Sequence, residues 1–247
     1  MLRVAAGELP STLRLAEPGR ALAFSKRDVV APGYERAVRA AHAGGFEPIV
    51  RLAGGRAAVF HEGTLELAHA VADGEPRAGV HSRFAAAAGL IARALAELGV
   101  DAHVGEVPGE YCPGRYSVNA RHARKLAGLG QRVVAGGAHT GAVIVVGGAE
   151  QVRAALTPVY EALGIRWDPA SVGAVAEEIG AAAGPTRSAL VEALLAEYGK
   201  SHEIEEAELD RQTLALARRL AREHRSGGLG GAGALGVRHE GVDHPRP

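Results

Sequence analysis

The stretch Tyr111–Arg132 reads YCPGRYSVNARHARKLAGLGQR and contains the only cysteine of the chain, Cys112. The proline and glycine directly after this cysteine predict a loop, and loops hold functional residues more often than inert core residues. The same stretch contains Lys125, one of three lysines in a chain that otherwise uses arginine for its positive charge. An ammonium group is compact whereas a guanidinium is planar, so a lysine here indicates a need for that shape. Cys112 is a candidate nucleophile with Lys125 as its partner; the alternative is a small buried apolar residue.

Short apolar segments on both sides of this stretch predict strands. Downstream they read RYSV, RKLAG, LGQRVVAGG and AHTGAVIVVGG, with a polar turn around Asn119. A succession of short strands and polar turns is typical of an antiparallel meander rather than of alternating βαβ units. Upstream, TLELAHAV and DAHVGEV predict strands on either side of a helix at about 80–98, and LRLA and ALAF predict short extended pieces near the N-terminus.

A glycine pair, Gly54-Gly55, lies between the predicted strand FEPIVR and the apolar segment AAVF. A helix over about 34–43, ended by Gly44-Gly45, precedes them. A strand, a glycine pair and a second strand bring backbone N–H groups close to a ligand. A plain hairpin explains the same pattern, so both interpretations stay open.

After Gly148 the pattern becomes helical. Four segments have apolar residues three and four apart and are separated at Pro169 and Pro185: AEQVRAALTPVYEALG, SVGAVAEEIGAAAG, TRSALVEALLAEYG and EAELDRQTLALARRLAREH. We therefore predict one α+β domain over 1–225, in which helices flank a mixed, largely antiparallel sheet. Its helical part, 149–225, packs on the sheet or forms a small subdomain. The glycine-rich run 226–247 predicts a disordered tail.

The composition excludes several classes of function. Of the 247 residues, 28 are lysine or arginine and 28 are aspartate or glutamate, which provides no electrostatic case for a nucleic-acid or acidic-membrane partner. A single cysteine forms neither an internal disulfide nor a zinc knuckle, and we expect no metal site. No segment has the length and apolarity of a membrane span or a signal peptide. We expect a soluble cytoplasmic protein.

Three blocks of the chain resemble the biotin/lipoate protein ligase and octanoyltransferase superfamily, in the same order and with the same spacing. RLAGGRAAVFH, from Arg51 to His61, resembles its arginine-plus-glycine loop. KLAGLGQR, from Lys125, resembles its Lys-x-x-Gly-x-x-Gln block, and His139-Thr-Gly141 resembles the His-x-Gly that opens the following strand. The resemblance extends over about 22–146 and implies the α+β fold of this superfamily.

Within the superfamily the chain resembles the octanoyl-H-protein:protein N-octanoyltransferases, or lipoyl amidotransferases. These proteins share a Tyr-Cys-Pro-Gly-x-Tyr segment, matched at Tyr111–Tyr116, and a Glu-Gly-x-Leu segment, matched at Glu62–Leu65. ATP-using lipoate ligases typically have a third glycine where Arg56 stands. A bulky side chain there hinders the approach of the backbone to a phosphate, which disfavours adenylate formation.

The resemblance implies acyl transfer through a thioester on Cys112, without a cofactor. Lys125 is expected to lie beside the thiolate and to face the developing oxyanion. The residues expected to bind the acyl group or the oxyanion are Arg51, Gly54, Gly55, Gly128, His139 and Gly141. The implied partners are the lipoyl domains of 2-oxoacid dehydrogenase complexes, the glycine cleavage H protein and an octanoyl or lipoyl group.

The roles of several residues remain open at this stage. His61 and His139 are each either a general base or a structural residue. Arg51 either holds the glycine loop, meets a carboxylate of a partner, or is a surface charge. We also expect Val59, Leu126 and the apolar residues of the last predicted strand to line an apolar channel for the acyl chain.

Three alternative functions are compatible with these residues. An ATP-dependent lipoate-protein ligase would require ATP and Mg²⁺ and would work without Cys112. An octanoyltransferase that takes its acyl group from acyl carrier protein would also use a cysteine. A non-catalytic binder of lipoyl domains or acyl groups belongs to a different class altogether, since fold alone does not assign function.

Overall fold

The computed structural model describes residues 1–222, so the whole of the predicted C-terminal tail at 226–247 lies outside the described residues. The strands are β1 (Thr12–Ala16), β2 (Ala21–Phe24), β3 (Glu47–Val50), β4 (Ala58–Phe60), β5 (Thr64–Ala72), β6 (Ala102–Val104), β7 (Val118–Ala120), β8 (Arg124–Val134) and β9 (Gly137–Val145). The helices are α1 (Leu2–Ala5), α2 (Lys26–Val29), α3 (Tyr34–Ala43), α4 (Val80–Glu97), α5 (Ala149–Ala162), α6 (Val175–Ile179), α7 (Ala183–Gly199) and α8 (Arg211–Ala221), with a 3₁₀ turn at Pro169–Ser171.

The larger sheet contains six strands in the order β1-β5-β9-β8-β7-β6. Every neighbouring pair in it is antiparallel. Strands β6 to β9 are adjacent in chain order, which confirms the predicted meander. The predicted turn around Asn119 is wrong, because Asn119 is buried within β7 and the chain turns at Arg121 and His122, both at positive φ. RKLAG and LGQRVV form one continuous strand, β8, rather than two.

The smaller sheet contains three strands in the order β3-β2-β4. Strand β2 pairs parallel with β3 and antiparallel with β4. The hairpin interpretation of the glycine pair is therefore wrong, because β2 lies between the two strands that the pair connects. Parallel pairing of β2 with β3 requires a crossover, which α3 provides. Residues 51–57 consequently form a loop from one edge of this sheet to the other.

Two hydrophobic cores join the helices to the sheets. Helices α4 and α7 pack together on one face of the larger sheet, around Leu67, Ile91 and Leu194. Helices α3 and α5 pack on the smaller sheet, around Phe24 and Tyr160. The predicted helical part thus divides between the two sheets. Pro185 lies in the first turn of α7 rather than between two helices, a position where its missing N–H costs nothing. Among the described helices, none combines the length and apolarity needed to cross a membrane.

Candidate active site

Cys112 lies in the loop between β6 and β7 and adopts a left-handed backbone conformation, with φ of 43°. This conformation is uncommon for a residue other than glycine and persists only where the surroundings hold it. The Cys112 N–H donates to the Tyr160 hydroxyl at 3.0 Å, and the Cys112 carbonyl accepts from Lys125 Nζ at 2.8 Å. The half-buried cysteine is therefore fixed through its backbone on both sides.

The Glu110 carboxylate organises this loop from inside. It accepts hydrogen bonds from the Val107 N–H at 3.1 Å, the Gly114 N–H at 2.9 Å and the Ser117 hydroxyl at 2.6 Å. It also accepts from Lys125 Nζ at 3.2 Å, in an ion pair whose two side chains are both almost fully buried. A buried carboxylate is stable only when its oxygens are satisfied in this way. Sequence reasoning missed Glu110; its signal was an acidic residue directly before the Tyr-Cys-Pro-Gly loop.

Lys125 holds the backbone of the cysteine loop rather than the cysteine sulfur. With 1% of its surface exposed, its ammonium donates to the carbonyl oxygens of Tyr111 at 2.9 Å and Cys112 at 2.8 Å, and to Glu110. Its Nζ also lies 4.7 Å from the centre of the Tyr111 ring, a cation–π contact. The expectation that Lys125 stands beside the thiolate thus needs correction. Its three oxygen partners use all three donors of the ammonium.

A β-bulge explains how Lys125 reaches this position. Val118 pairs with Ala127 and Asn119 pairs with Lys125, so β8 has one extra residue at this step. A bulge reverses the face on which the preceding side chains lie. Lys125 therefore lies on the same face as Gly128, where an added Cβ would be only 3.2 Å from Lys125 Cε. Glycine at 128 leaves space for the lysine side chain.

Two donors from the glycine loop face the cysteine sulfur. The Arg56 N–H lies 3.1 Å from Cys112 Sγ, and Arg51 Nη2 lies 3.5 Å from it. The cation beside the sulfur is thus Arg51, where the sequence predicted Lys125. The backbone donor belongs to Arg56, the residue after the predicted pair Gly54-Gly55. The sulfur thus has a backbone hydrogen-bond donor and a positive charge beside it.

Gly55 allows this approach. Its φ is 101°, and a Cβ at this position would lie 2.6 Å from Cys112 Sγ and 2.8 Å from Arg51 Nη2. Both the conformation and the close contact require glycine. Gly54, in contrast, has open space around its Cβ position. The two glycines of the pair therefore serve different purposes.

The side chain of Arg56 anchors the loop to helix α2, which follows β2. Its Nη1 pairs with Asp28 Oδ1 at 3.3 Å, and Asp28 is fully buried. The other oxygen of this carboxylate accepts from the N–H and hydroxyl of Ser25, which caps α2. On the opposite side, Arg51 Nη2 donates to the Arg56 carbonyl at 2.6 Å. The Arg56 N–H is therefore directed at the sulfur by contacts on both sides of its residue.

Tyr160, in α5, links the cysteine loop to the glycine loop. Its hydroxyl accepts from the Cys112 N–H and donates to the Ala57 carbonyl at 2.9 Å. Burial raises the pKa of Tyr160 well above its ordinary value, so the hydroxyl keeps the proton it donates. Sequence reasoning missed Tyr160, because a tyrosine on a helix 48 residues from Cys112 gives no local signal.

Replacement Tyr160→Phe removes both hydrogen bonds and leaves the Cys112 N–H and the Ala57 carbonyl unpaired. We expect a loss of about 1–3 kcal/mol in the free energy of unfolding and slower alkylation of Cys112 by iodoacetamide. Urea unfolding and mass spectrometry measure the two effects. The matched control is Tyr198→Phe, whose hydroxyl bonds the His69 ring at 3.0 Å, away from the cysteine. Equal alkylation rates in wild type and Tyr160→Phe would contradict the assigned role.

A cavity of about 420 Å³ lies between the two sheets. The larger sheet contributes three cross-strand pairs on one face, Gly128 with Val143, Gly130 with Gly141 and Arg132 with His139. The smaller sheet and its loop contribute the opposite wall: Ala23, Ile49, Val50, Arg51, Leu52, Ala53 and Phe60. Its size and mostly apolar lining are those of a small-molecule site. Val59 and Leu126, predicted to line a channel, are buried instead in the two cores.

Cys112 lines a second cavity, of about 360 Å³. Its walls include Gly54, Gly55 and a stacked pair of rings, Phe84 and Tyr116, whose centres are 5.2 Å apart. Of the residues predicted for the site, Gly54 and Gly55 thus lie beside Cys112. Arg51, Gly128, His139 and Gly141 line the first cavity, and Arg51 also contacts the sulfur.

The two histidines near the motifs have different surroundings. Burial lowers the pKa of His139 below its ordinary value; the charges of the amino terminus and Arg132 act in the same direction, and Glu66 opposes them. His139 is thus a neutral wall residue of the first cavity. His61 is buried, and its Nδ1 accepts from the Gly63 N–H at 3.0 Å. This contact supports the structural interpretation of His61.

Two bacterial octanoyltransferases are similar in sequence to part of the chain. Octanoyl-[GcvH]:protein N-octanoyltransferase of Exiguobacterium sibiricum is 32% identical over 142 residues, which is 57% of this chain and 50% of that protein. The protein of the same name from Anoxybacillus flavithermus is 33% identical over 153 residues, which is 61% of this chain and 54% of that protein. The matched part is thus about half the length of these relatives.

Solved structures share the fold. Lipoate-protein ligase A bound with ATP has a TM-score of 0.66 at 17% identity, and the match covers 86% of this chain and 82% of that one. The bipartite lipoate protein ligase of Thermoplasma acidophilum has a TM-score of 0.62 at 17% identity, covering 86% and 80% of the two chains. These likenesses confirm the predicted α+β architecture. Residues 1–199 match the family model described as the lipoyl protein ligase A/B catalytic domain, so the chain belongs to that family.

Proposed function

We propose that this protein is an acyltransferase of the lipoate pathway, which moves an octanoyl or lipoyl group onto a lysine of a lipoyl domain through a thioester on Cys112. The observation that supports it most is the sulfur of Cys112 with two donors aimed at it, the Arg56 N–H and Arg51 Nη2. An apolar cavity of about 420 Å³ adjoins this group. The names of the relatives, which are octanoyltransferases acting on GcvH, support the same reaction.

The reaction proceeds in two balanced steps. The Cys112 thiolate attacks the carbonyl carbon of an acyl-lysine amide on the carrier protein, and a C–S bond forms. The tetrahedral oxyanion then collapses, the C–N bond breaks, and the carrier amine leaves with the proton given up by the thiol. In the second step an acceptor lysine amine attacks the thioester and the C–S bond breaks; the proton that the amine loses passes to the departing sulfur, which restores the Cys112 thiol. One amide replaces another, so no nucleotide is consumed.

The residues around the sulfur have two different roles in this reaction. Arg51 and the Arg56 N–H stabilise the thiolate, because a positive charge and a backbone donor both lower the energy of the anion. Lys125 and Glu110 position Cys112 by holding the backbone of its loop. Donors that are already in position do not have to rearrange during the reaction. Such preorganisation is often the largest source of an enzyme's rate enhancement.

The partners follow from this reaction. The donor is a carrier such as the octanoylated glycine cleavage H protein, the acceptors are lipoyl domains of 2-oxoacid dehydrogenase complexes, and no nucleic acid or membrane takes part. The acyl chain occupies the first cavity, against Gly128, Gly141 and His139. A free thiol nucleophile belongs in a reducing compartment, and we propose that the reaction takes place in the cytoplasm.

The test mixes the protein with octanoylated H protein and an acceptor lipoyl domain, without nucleotide, and follows the mass of the acceptor. We expect the acceptor to gain one octanoyl group. Acceptor modification that occurs only with free octanoate, ATP and Mg²⁺ would instead make the protein a ligase. No modification in either mixture would favour the non-catalytic binder.

The ligase remains the second candidate because solved lipoate ligases share this fold. A nucleotide would need backbone donors from the glycine loop for its phosphates. Here the Arg56 N–H points to Cys112 Sγ, and its guanidinium pairs with Asp28. The donor set of the loop therefore favours the thioester route over the adenylate route.

A further inference from the structure

The second cavity, of about 360 Å³, adjoins the cysteine directly, because Cys112 is part of its lining. Gly55, whose Cβ position lies 2.6 Å from Cys112 Sγ, is another part of the wall. Pro113 and Arg115 also line this cavity and are exposed, so they mark its rim. A group that enters from solvent at this rim therefore reaches the half-buried sulfur.

The walls of the second cavity are mostly apolar. Phe84 of α4 and Tyr116 of the cysteine loop contribute two half-buried rings that are stacked with an angle of 3° between their planes. Leu129 of β8 adds an aliphatic side chain. The Tyr116 hydroxyl contacts Nδ1 of the exposed His81 at 3.3 Å, so the polar end of this ring has a partner.

Two polar side chains in the lining are also paired within the protein. Gln131 accepts from Arg83 Nε at 3.0 Å and donates to the Val80 carbonyl at 3.2 Å. The Ser117 hydroxyl donates to Glu110 at 2.6 Å. With these groups occupied, the cavity suits an uncharged aliphatic chain better than a polar ligand.

We infer that the second cavity binds the side chain of the lysine that gives up or receives the acyl group. The methylenes of a lysine side chain gain free energy when they leave water for apolar walls, and aromatic rings offer a large apolar area. With the chain along these walls, its nitrogen lies at Cys112, where the acyl carbonyl is bound. The ligand is thus a primary amine, or its amide, on an unbranched chain. This inference rests on the proposed function, from which it takes the acyl group on Cys112.

The same walls favour the reactive form of the amine. A lysine amine attacks only after it has lost the proton that it carries in water at neutral pH. Apolar surroundings and a neighbouring cation both disfavour the charged form, and Arg51 Nη2, at 3.5 Å from Cys112 Sγ, provides the cation. The ammonium releases this proton to water before attack. A second proton passes from the amine to the sulfur as the C–S bond breaks.

The test compares two primary amines of almost equal basicity: methylamine, and n-butylamine, whose carbon chain equals that of a lysine side chain. The octanoyl-enzyme is formed first from S-methyl thiooctanoate. The Cys112 thiolate attacks the carbonyl, a new C–S bond forms, the bond to the methylthio group breaks, and methanethiol leaves with the proton of the Cys112 thiol. The intact mass then gives the rate at which each amine removes the octanoyl group. We expect butylamine to react about tenfold faster or more, after division by the same ratio for S-octanoyl-N-acetylcysteine in solution.

Phe84→Ala and Tyr116→Ala should each lower this ratio about fivefold or more, because each removes one ring from the wall. The conservative variant Tyr116→Phe keeps the ring and should keep the ratio. Both rates are measured on the same octanoyl-enzyme, so a loss of folded protein affects them equally. Equal slowing of both amines in the alanine variants would overturn the inference, since it would place the octanoyl chain in this cavity. A wild-type octanoyl-enzyme without preference for butylamine would contradict this inference alone, whereas no octanoyl-enzyme at all would contradict the proposed function as well.

Discussion

We expect replacement Cys112→Ser to lower the proposed octanoyl transfer between carrier and acceptor about a thousandfold or more, as removal of a covalent nucleophile does in other enzymes. A serine hydroxyl fits the same space but is far less nucleophilic than a thiolate and is not ionised by one guanidinium and one N–H. The structure predicts little change in folding, because the backbone contacts of residue 112, with Tyr160 and Lys125, do not involve the sulfur. Transfer rate and urea unfolding, measured together, distinguish the chemical effect from misfolding.

Arg51→Lys and Cys112→Ala provide the controls for this result. Cys112→Ala should be as inactive as Cys112→Ser, since neither offers a thiolate. Arg51→Lys keeps the charge but loses the guanidinium whose Nη2 donates both to Cys112 Sγ and to the Arg56 carbonyl, and it should retain part of the activity. Transfer by Cys112→Ser at more than a tenth of the wild-type rate would exclude the thioester route.

Replacement Lys125→Met destabilises the protein by about 3–5 kcal/mol, the cost of leaving one member of a buried ion pair without its partner. Glu110 would lose its cationic partner in a site with 4% exposure, and the carbonyls of Tyr111 and Cys112 would each lose a donor. We expect the cysteine loop to lose its fixed geometry and transfer to stop with it. Thermal or urea unfolding gives the stability, and acceptor mass gives the activity.

Three further variants test this explanation. The double variant Glu110→Gln, Lys125→Met should be less destabilised than the sum of its single changes, because the two residues form one pair. Lys125→Arg should also lose activity, since a planar guanidinium cannot meet three oxygens arranged around an ammonium. Lys200→Met, at a lysine with a side chain 65% exposed, should change little. An Lys125→Arg variant with normal turnover would show that charge alone suffices.

The parts of the fold that follow local patterns could be predicted from the sequence. The helix at Tyr34–Ala43 and the strands β5 and β9 have apolar spacing that is visible in single segments. The position of β2 between β3 and β4 could not be predicted, because parallel pairing joins segments that are distant in the chain. Pro185 was misleading for a local reason. In a sequence, a proline in the first turn of a helix cannot be distinguished from a proline between two helices.

The sequence predicted the types of residue in the candidate site better than it predicted the contacts between them. The motifs included Cys112, Lys125, Arg51 and the glycine pair, and the structure brings Arg51 and Gly55 to the sulfur. Which cation meets the sulfur depends on a β-bulge in β8 and on the packing of two sheets. Glu110 acts through four hydrogen bonds to its own loop and to Lys125, and Tyr160 through two hydrogen bonds to distant segments; a sequence has no spacing rule for either.

The central claim, that Cys112 takes up the acyl group as a thioester, is tested most directly by the intact mass of the protein after mixing with octanoylated H protein. No nucleotide and no acceptor is present, so the acyl-enzyme accumulates. We predict a gain of one octanoyl group that is removed by hydroxylamine and does not form in Cys112→Ala. No gain in mass, or a gain of the same size in Cys112→Ala, would contradict the thioester mechanism.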